Sequence, residues 1–334
     1  MADFDMVAVR LSALGDVVLT TGVLEHWHRE RGLRFGVITR ESLAPLFQGS
    51  PAVPRVIGLK EERLRSNWST LANELAREFG GLPLVDLHNV GRTWLLASMW
   101  KGKVRRYPKF SFSRRFYRRF RLGWARRRLE ALNVPQRYTL ALDRTAPPRE
   151  ALRPVVRVND EERDQASQVL GELGLGSRPL AALHPYATHH NKAWPRERWL
   201  ELLDLLDEAG WDWLVLGRSS DPFLKERAGP RDLTGATSLR ATCALIQAAD
   251  VLVTGDSGPM HLGTAVSTPV AALFGPTTSA WGFPPSGERD VVLEVEDLAC
   301  RPCDIHGGAF CRRELACLAG IPASRVMDEL SHLA

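Results

Sequence analysis

The chain has 334 residues, 44% hydrophobic and 25% charged, a balance typical of a soluble globular protein with room for two cores. Its start, MADFDMVAVR, shows no basic stretch followed by an apolar one, and no apolar run is long enough to span a bilayer, so neither a secretory leader nor a membrane anchor is expected and a cytoplasmic location is. The net charge of +5 conceals 13 Lys or Arg and no acid between Lys101 and Arg128, which leaves −8 on the rest and marks one anion-seeking patch on an acidic protein.

In chain order, MVAVRL, RFGVIT and PLVDL have strand character, with helical spacing over Val17–Glu30 and Asn67–Phe79 between them. A stretch with Pro147, Pro148 and Pro154 follows as a linker. Beyond it, PLAALHP, WDWLVLG, DVLVTG and PVAALFG are strands apolar on both faces, and helices are expected near Arg196–Ala209, Leu239–Ala248 and Pro259–Ala265. Such strands alternating with helices imply parallel sheets covered on both sides. The expected fold is therefore α/β, with two doubly wound domains, 1–148 and 149–334. Their strand carboxyl ends would face a cleft.

Chemistry-bearing residues collect at those strand ends. Asp16 follows the first strand in RLSALGDVVLT, beside Gly15. An aspartate there serves as a helix cap or, at the carboxyl edge of a parallel sheet, as an acid–base group. Lys192, one of only six lysines, precedes a helix start at Pro195 in HPYATHHNKAWPRERW. It suits either a solvated surface or a phosphate at a helix N-terminus. In DVLVTGDSGPMHLGTA, Gly255 and Gly258 let backbone N–H groups approach an anion, with Asp256, Ser257 and His261 alongside. His261 fits equally an ordinary helix-face histidine. Gly275-Pro276-Thr277 closes another strand, and Asp221, after LVLGRSS, has the chemistry to accept bonds from ribose hydroxyls. The sequence contains no GxxxxGK[ST] loop and no GxGxxG after the first strand, which argues against P-loop hydrolysis and against a dinucleotide cofactor.

Taken as an ordered set, RLSALGDVVLTTGVL, DLHNVGR, KAWP, DSGPMHLGTA and ALFGPT resemble glycosyltransferase family 9, the ADP-heptose:lipopolysaccharide heptosyltransferases. The resemblance implies a GT-B fold of two Rossmann-like domains and an inverting glycosyltransferase that needs no metal or cofactor for catalysis. The implied donor is an ADP-sugar held mainly by the second domain, and the implied acceptor is a phosphorylated glycolipid of the lipopolysaccharide inner core. By position it implies Asp16 as general base and places Lys192, Asp256, Ser257, Gly258 and His261 around the donor diphosphate. Asp221 would meet the ribose, where the family more often has Glu, and the Thr237 backbone would lie at the adenine. Another activated sugar or a protein acceptor is the alternative within the class.

The basic segment interleaves its cations with seven aromatics, a pattern suited to nucleic acid or to a phosphorylated lipid at an anionic membrane. The acceptor side implied by the resemblance favours the membrane. Arg114, Arg115, Arg118 and Arg119 are then the acceptor and membrane contacts of a peripheral enzyme at the inner face of the cytoplasmic membrane, and no nucleic-acid partner is expected. A nucleic-acid-binding protein with vestigial pockets is the competing class. Cys300, Cys303, Cys311 and Cys317 have spacing compatible with a structural zinc or iron site.

Overall fold

The computed structural model describes residues 3–296, 298–304, 307, 308 and 311–333. The chain forms two compact units. The first comprises Met1–Ser111 and Ala131–Arg157, the second Phe112–Glu130 and Val158–Ala334. This division differs from a single cut at 148. Thr21 Oγ1 accepts the Val155 N–H at 2.9 Å, which ties the linker to the first unit. Gly22 permits the approach, because a Cβ there would sit 2.4 Å from the carbonyl oxygens of Leu152 and Arg153.

In the first unit the parallel strands β1 (Met6–Val9), β2 (Phe35–Arg40), β3 (Arg55–Leu59), β4 (Leu84–Asp86) and β5 (Val104–Arg106) lie in the order β3-β2-β1-β4-β5. The strand order reverses between β1 and β4, where Val9 faces Asp86 in register. The helix Leu14–Arg31 starts directly after β1 and ends at Gly32, whose φ of +67° lets its N–H return to the His28 carbonyl at 2.7 Å. Helix Trp68–Phe79 is capped by Asn67, which accepts the Thr70 N–H.

In the second unit β6 (Leu180–His184), β7 (Asp212–Val215), β8 (Val251–Gly255), β9 (Val270–Phe274) and β10 (Val291–Glu294) are again all parallel, in the order β10-β9-β8-β6-β7. Here the reversal falls between β6 and β8. Helices Arg196–Glu208 and Ala323–Leu333 cover the sheet, joining Trp199, Leu203, Val326 and Leu330 to a core that includes Trp213, Val253 and Leu273. In doubly wound sheets the reversal is where ligands bind, because neighbouring crossovers leave on opposite faces and open a crevice. Each unit therefore carries one such position.

The basic segment is not one element. Val104–Arg106 is the edge strand β5 of the first sheet, whereas Ser111–Phe120 and Gly123–Glu130 are helices grouped with the second unit from Phe112 onward. No helix among the described residues is long and apolar enough to cross a membrane.

Candidate active site

At the β1/β4 reversal, Asp16 lies in the first turn of its helix and reaches back to the Ala13 N–H only at 3.4 Å. Its closer partners are Arg10, whose guanidinium meets one carboxylate oxygen at 2.6 Å, and Tyr138, whose hydroxyl donates to the other at 2.7 Å. Burial by itself would raise the Asp16 pKa. The Arg10 charge, then the bonds from Tyr138 and Ala13, outweigh it and hold the carboxyl below its ordinary value. Arg10 also donates to the Leu87 carbonyl at 2.5 Å and lies 5.4 Å from the Tyr138 ring centroid. The residue is therefore an anion of fixed orientation rather than a simple cap.

The loop after β4 completes this side. Asp86, fully buried, accepts the N–H groups of His88 and Asn89 at 3.1 and 2.7 Å and the Arg106 guanidinium at 3.2 Å. Burial, reinforced by the Arg10 charge, pushes the His88 imidazole down to about 3, so the ring is neutral in the physiological range. Asn89, at φ +52°, accepts the Trp94 indole N–H at 2.7 Å and donates to the Tyr107 carbonyl at 3.0 Å. Arg10, His88 and Tyr138 were not singled out from the sequence. A charged residue closing an otherwise apolar strand was the available signal for Arg10, and DLHNVGR contained His88. Tyr138, 122 residues from its partner, had no local signal.

At the β6/β8 reversal, Lys192 Nζ meets Asp256 Oδ2 at 2.6 Å and the Asp256 carbonyl at 3.0 Å. The Thr277 hydroxyl donates to the same Oδ2 at 2.6 Å. The Asp256 carboxylate is thus the anchor of Lys192, a role distinct from contact with an anionic diphosphate. Gly307, at φ +85°, lies so close to Lys192 that a Cβ would stand 2.6 Å from its Cγ. Ser257 occupies the N-cap of helix Gly258–Ala265 in extended conformation without a side-chain cap bond; its hydroxyl lies 3.4 Å from that of Thr254. His261, on the same helix, is buried.

His184 ends β6 with Nδ1 3.4 Å from the Thr254 hydroxyl, and burial pushes it down to about 4. The Asp221 carboxylate belongs to an exposed turn after β7 in which Ser219 Oγ accepts the Asp221 N–H. Thr237 shares a 2.8 Å hydroxyl–hydroxyl bond with Thr242 at the start of helix Leu239–Ala248.

The rim at Gly275–Thr277 is stapled by Arg301, which donates to the Gly275 and Thr277 carbonyls, while the Cys303 N–H donates to the Pro276 carbonyl. The cysteine segment thereby supports Thr277, Asp256 and Lys192 in turn. Among the described residues no three His, Cys, Asp or Glu side chains form a group able to hold a metal ion. Burial, followed by nearby thiols, raises Cys303; burial takes Cys317 to about 11, with neighbouring thiols adding and Arg301 opposing. The zinc or iron site expected from the cysteine spacing has no such ligand group among the described side chains. His306, in the same segment, lies outside the described residues.

Two doubly wound units, each with charged groups at its strand reversal, are the architecture of GT-B glycosyl-transferring enzymes. Residues 115–308 match the model of "Glycosyltransferase family 9 (heptosyltransferase)". The chain is 31% identical over 321 residues to lipopolysaccharide heptosyltransferase 1 of Pseudomonas aeruginosa, covering 89% of this chain and 85% of that protein. Among solved structures, a family 9 glycosyl transferase from Veillonella parvula superposes with TM-score 0.77 at 22% identity, covering 99% of this chain and 97% of the other. The E. coli ADP-heptose lps heptosyltransferase II does so with 0.73 at 22%, covering 98% of each. The chain belongs to glycosyltransferase family 9. It is a glycosyl-transferring enzyme.

Proposed function

We propose that the protein transfers a heptose from ADP-heptose to the inner core of a lipopolysaccharide acceptor, with inversion at the anomeric carbon. The observation that carries this reading is Asp16, held anionic between Arg10 and Tyr138 at the β1/β4 reversal of a family 9 chain. In the reaction an acceptor hydroxyl oxygen attacks the anomeric carbon, and the bond from that carbon to the diphosphate oxygen breaks. ADP leaves with the bonding pair, and the hydroxyl proton passes to Asp16. Because its pKa is depressed, Asp16 is a weak base, so proton transfer comes late and electrostatics dominate.

Lys192, the backbone N–H groups at Ser257–Gly258 and His261 stabilise the charge growing on the diphosphate. Asp256 positions Lys192. Asp221 binds the ribose and the Thr237 backbone borders the adenine. No metal or cofactor takes part in the transfer. A structural zinc or iron at Cys300, Cys303, Cys311 and Cys317 would require the thiols, as thiolates, in one ligand set that the described geometry does not contain. Elemental analysis of the purified protein decides that point. The acceptor is membrane-borne, which places the enzyme in the cytoplasm at the inner face of the membrane, with Arg115, Arg118 and Arg119 exposed for anionic contact.

A donor panel tests the reading. ADP-heptose should raise the melting temperature and bind in titration calorimetry, while UDP- and GDP-sugars should not. Selective stabilisation by a different nucleotide sugar would overturn the donor assignment.

A further inference from the structure

The two helices at 111–130 have one face turned into the second unit and one turned outward. Inward, Ser113, Tyr117, Ala125 and Leu129 are buried. Tyr117 meets Trp281 edge-on at 5.7 Å, Arg114 lies over the Phe283 ring at 5.7 Å, and Arg121 donates to the Cys300 carbonyl at 3.3 Å. Arg114 is therefore a packing contact and leaves the set of membrane-facing arginines.

Outward, Phe112 is 66%, Phe120 56% and Trp124 43% exposed, three of the five exposed large hydrophobics among the described residues. Phe116 joins them as a hub, with its ring centroid 4.3 Å from Phe112, 5.6 Å from Phe120 and 6.0 Å from Trp124. The repeat 112, 116, 120, 124 thus gives one continuous aromatic ridge. Arg115, Arg118, Arg119, Arg127 and Arg128 are exposed around it, Arg126 pairs with Glu130 at 2.7 Å, and the sequence from Lys101 to Arg128 contains no acid.

Three occupants compete for such a ridge. A second copy of the chain would bring two sets of arginines together with almost no acid to neutralise them. Single-stranded nucleic acid needs splayed rings with free faces, whereas these rings lie against one another. An anionic bilayer suits both features: clustered aromatics enter the headgroup boundary and the cations meet lipid phosphates. We propose that Phe112, Phe116, Phe120 and Trp124 form a wedge that seats the protein in an anionic membrane, with the surrounding arginines supplying the electrostatic attraction. This rests on the reading of the acceptor as membrane-borne, but membrane seating is measurable without donor or turnover.

Co-sedimentation of the full chain with phosphatidylcholine vesicles, with and without phosphatidylglycerol, tests it. The wild type should bind the anionic vesicles much more strongly than the neutral ones. The Phe112→Ser/Phe120→Ser/Trp124→Ser variant should bind about tenfold or more weakly, and the deficit should persist at high salt. Arg115→Gln/Arg118→Gln/Arg119→Gln should lose about tenfold at low salt and converge on the wild type at high salt. Turnover of a delipidated acceptor should stay within about twofold for the aromatic variant, which separates this proposal from the transfer reaction itself. Should the triple aromatic variant fail to fold, Trp124→Phe serves instead: brominated lipid should quench wild-type fluorescence more than that of the variant. Wild-type levels of vesicle binding by the folded aromatic variant, equal quenching of Trp124→Phe and wild type, or no binding by the wild type would overturn it. So would a wild-type dimer that the aromatic substitutions make monomeric, or RNA binding that they abolish.

Discussion

The Arg10 guanidinium touches the Asp16 carboxylate at 2.6 Å with one nitrogen and the Leu87 carbonyl at 2.5 Å with another, tying the segment that leaves β1 to the segment that leaves β4. Both side chains are largely shielded, at 8% and 21% exposure, so removing either partner would strand a shielded charge, unlike the loss of a surface ion pair. It fixes the carboxylate's direction and its charge together. The helix start contributes less, since the Ala13 N–H stands 3.4 Å away.

Replacing Asp16 separates its two roles. Asp16→Asn should lower turnover by ~10²–10⁴-fold while ADP-sugar affinity changes by less than about twofold. It should also lower stability by ~2 kcal/mol in urea unfolding, because Arg10 stays shielded without its anion. Near-normal turnover with the same stability loss would make Asp16 purely structural.

Arg10→Gln should move the acid limb of the kcat/KM profile to higher pH. The Arg10 cation favours the ionised carboxyl, so without it burial raises the Asp16 pKa and the base form is reached later on the way up the pH scale. An unmoved limb would show that another group controls it.

Asp256→Asn and Lys192→Gln should both weaken ADP-sugar binding by about tenfold or more, read by calorimetry. The sign for Asp256 is diagnostic. If its carboxylate only repelled the diphosphate, neutralising it would tighten binding; as the anchor of Lys192 it must weaken it.

His88 contributes a pH-dependent part of stability. Its folded pKa, about 3, lies below the unfolded value of about 6.5, so the unfolded chain takes up a proton that the folded one refuses. That contribution is complete above about pH 6.5 and is lost as pH falls toward about 3. The drop in urea midpoint between about pH 7 and about pH 5 should therefore be smaller in His88→Gln than in the wild type. Equal drops would place the ring in a more solvated setting.

Strands and helices with a strong burial pattern were legible, and those without one were not. β1, β2, β4, β6, β7, β8 and β9 coincide with the apolar runs, and helix Leu239–Ala248 has the expected bounds. The strands not anticipated, β3, β5 and β10, are all at sheet edges, where fewer neighbours demand apolar side chains; Arg55–Leu59 and Val104–Arg106 have largely exposed or half-buried residues. The assignment of 112–130 to the second unit depends on Tyr117–Trp281 and Arg121–Cys300, contacts 164 and 179 residues apart that no local pattern encodes. For the same reason Asp16, Lys192, Asp256 and Thr277 were visible as motif residues, while Tyr138 as the partner of Asp16 and the Thr277–Asp256–Lys192 chain of contacts emerged only from the fold.

Direct transfer is the decisive measurement. Incubated with ADP-heptose and an inner-core acceptor, the protein should release ADP and yield, by mass spectrometry, an acceptor heavier by one heptose residue. Asp16→Asn should form that product ~10²–10⁴-fold more slowly. A folded wild-type protein that neither transfers the sugar nor hydrolyses the donor would contradict the account.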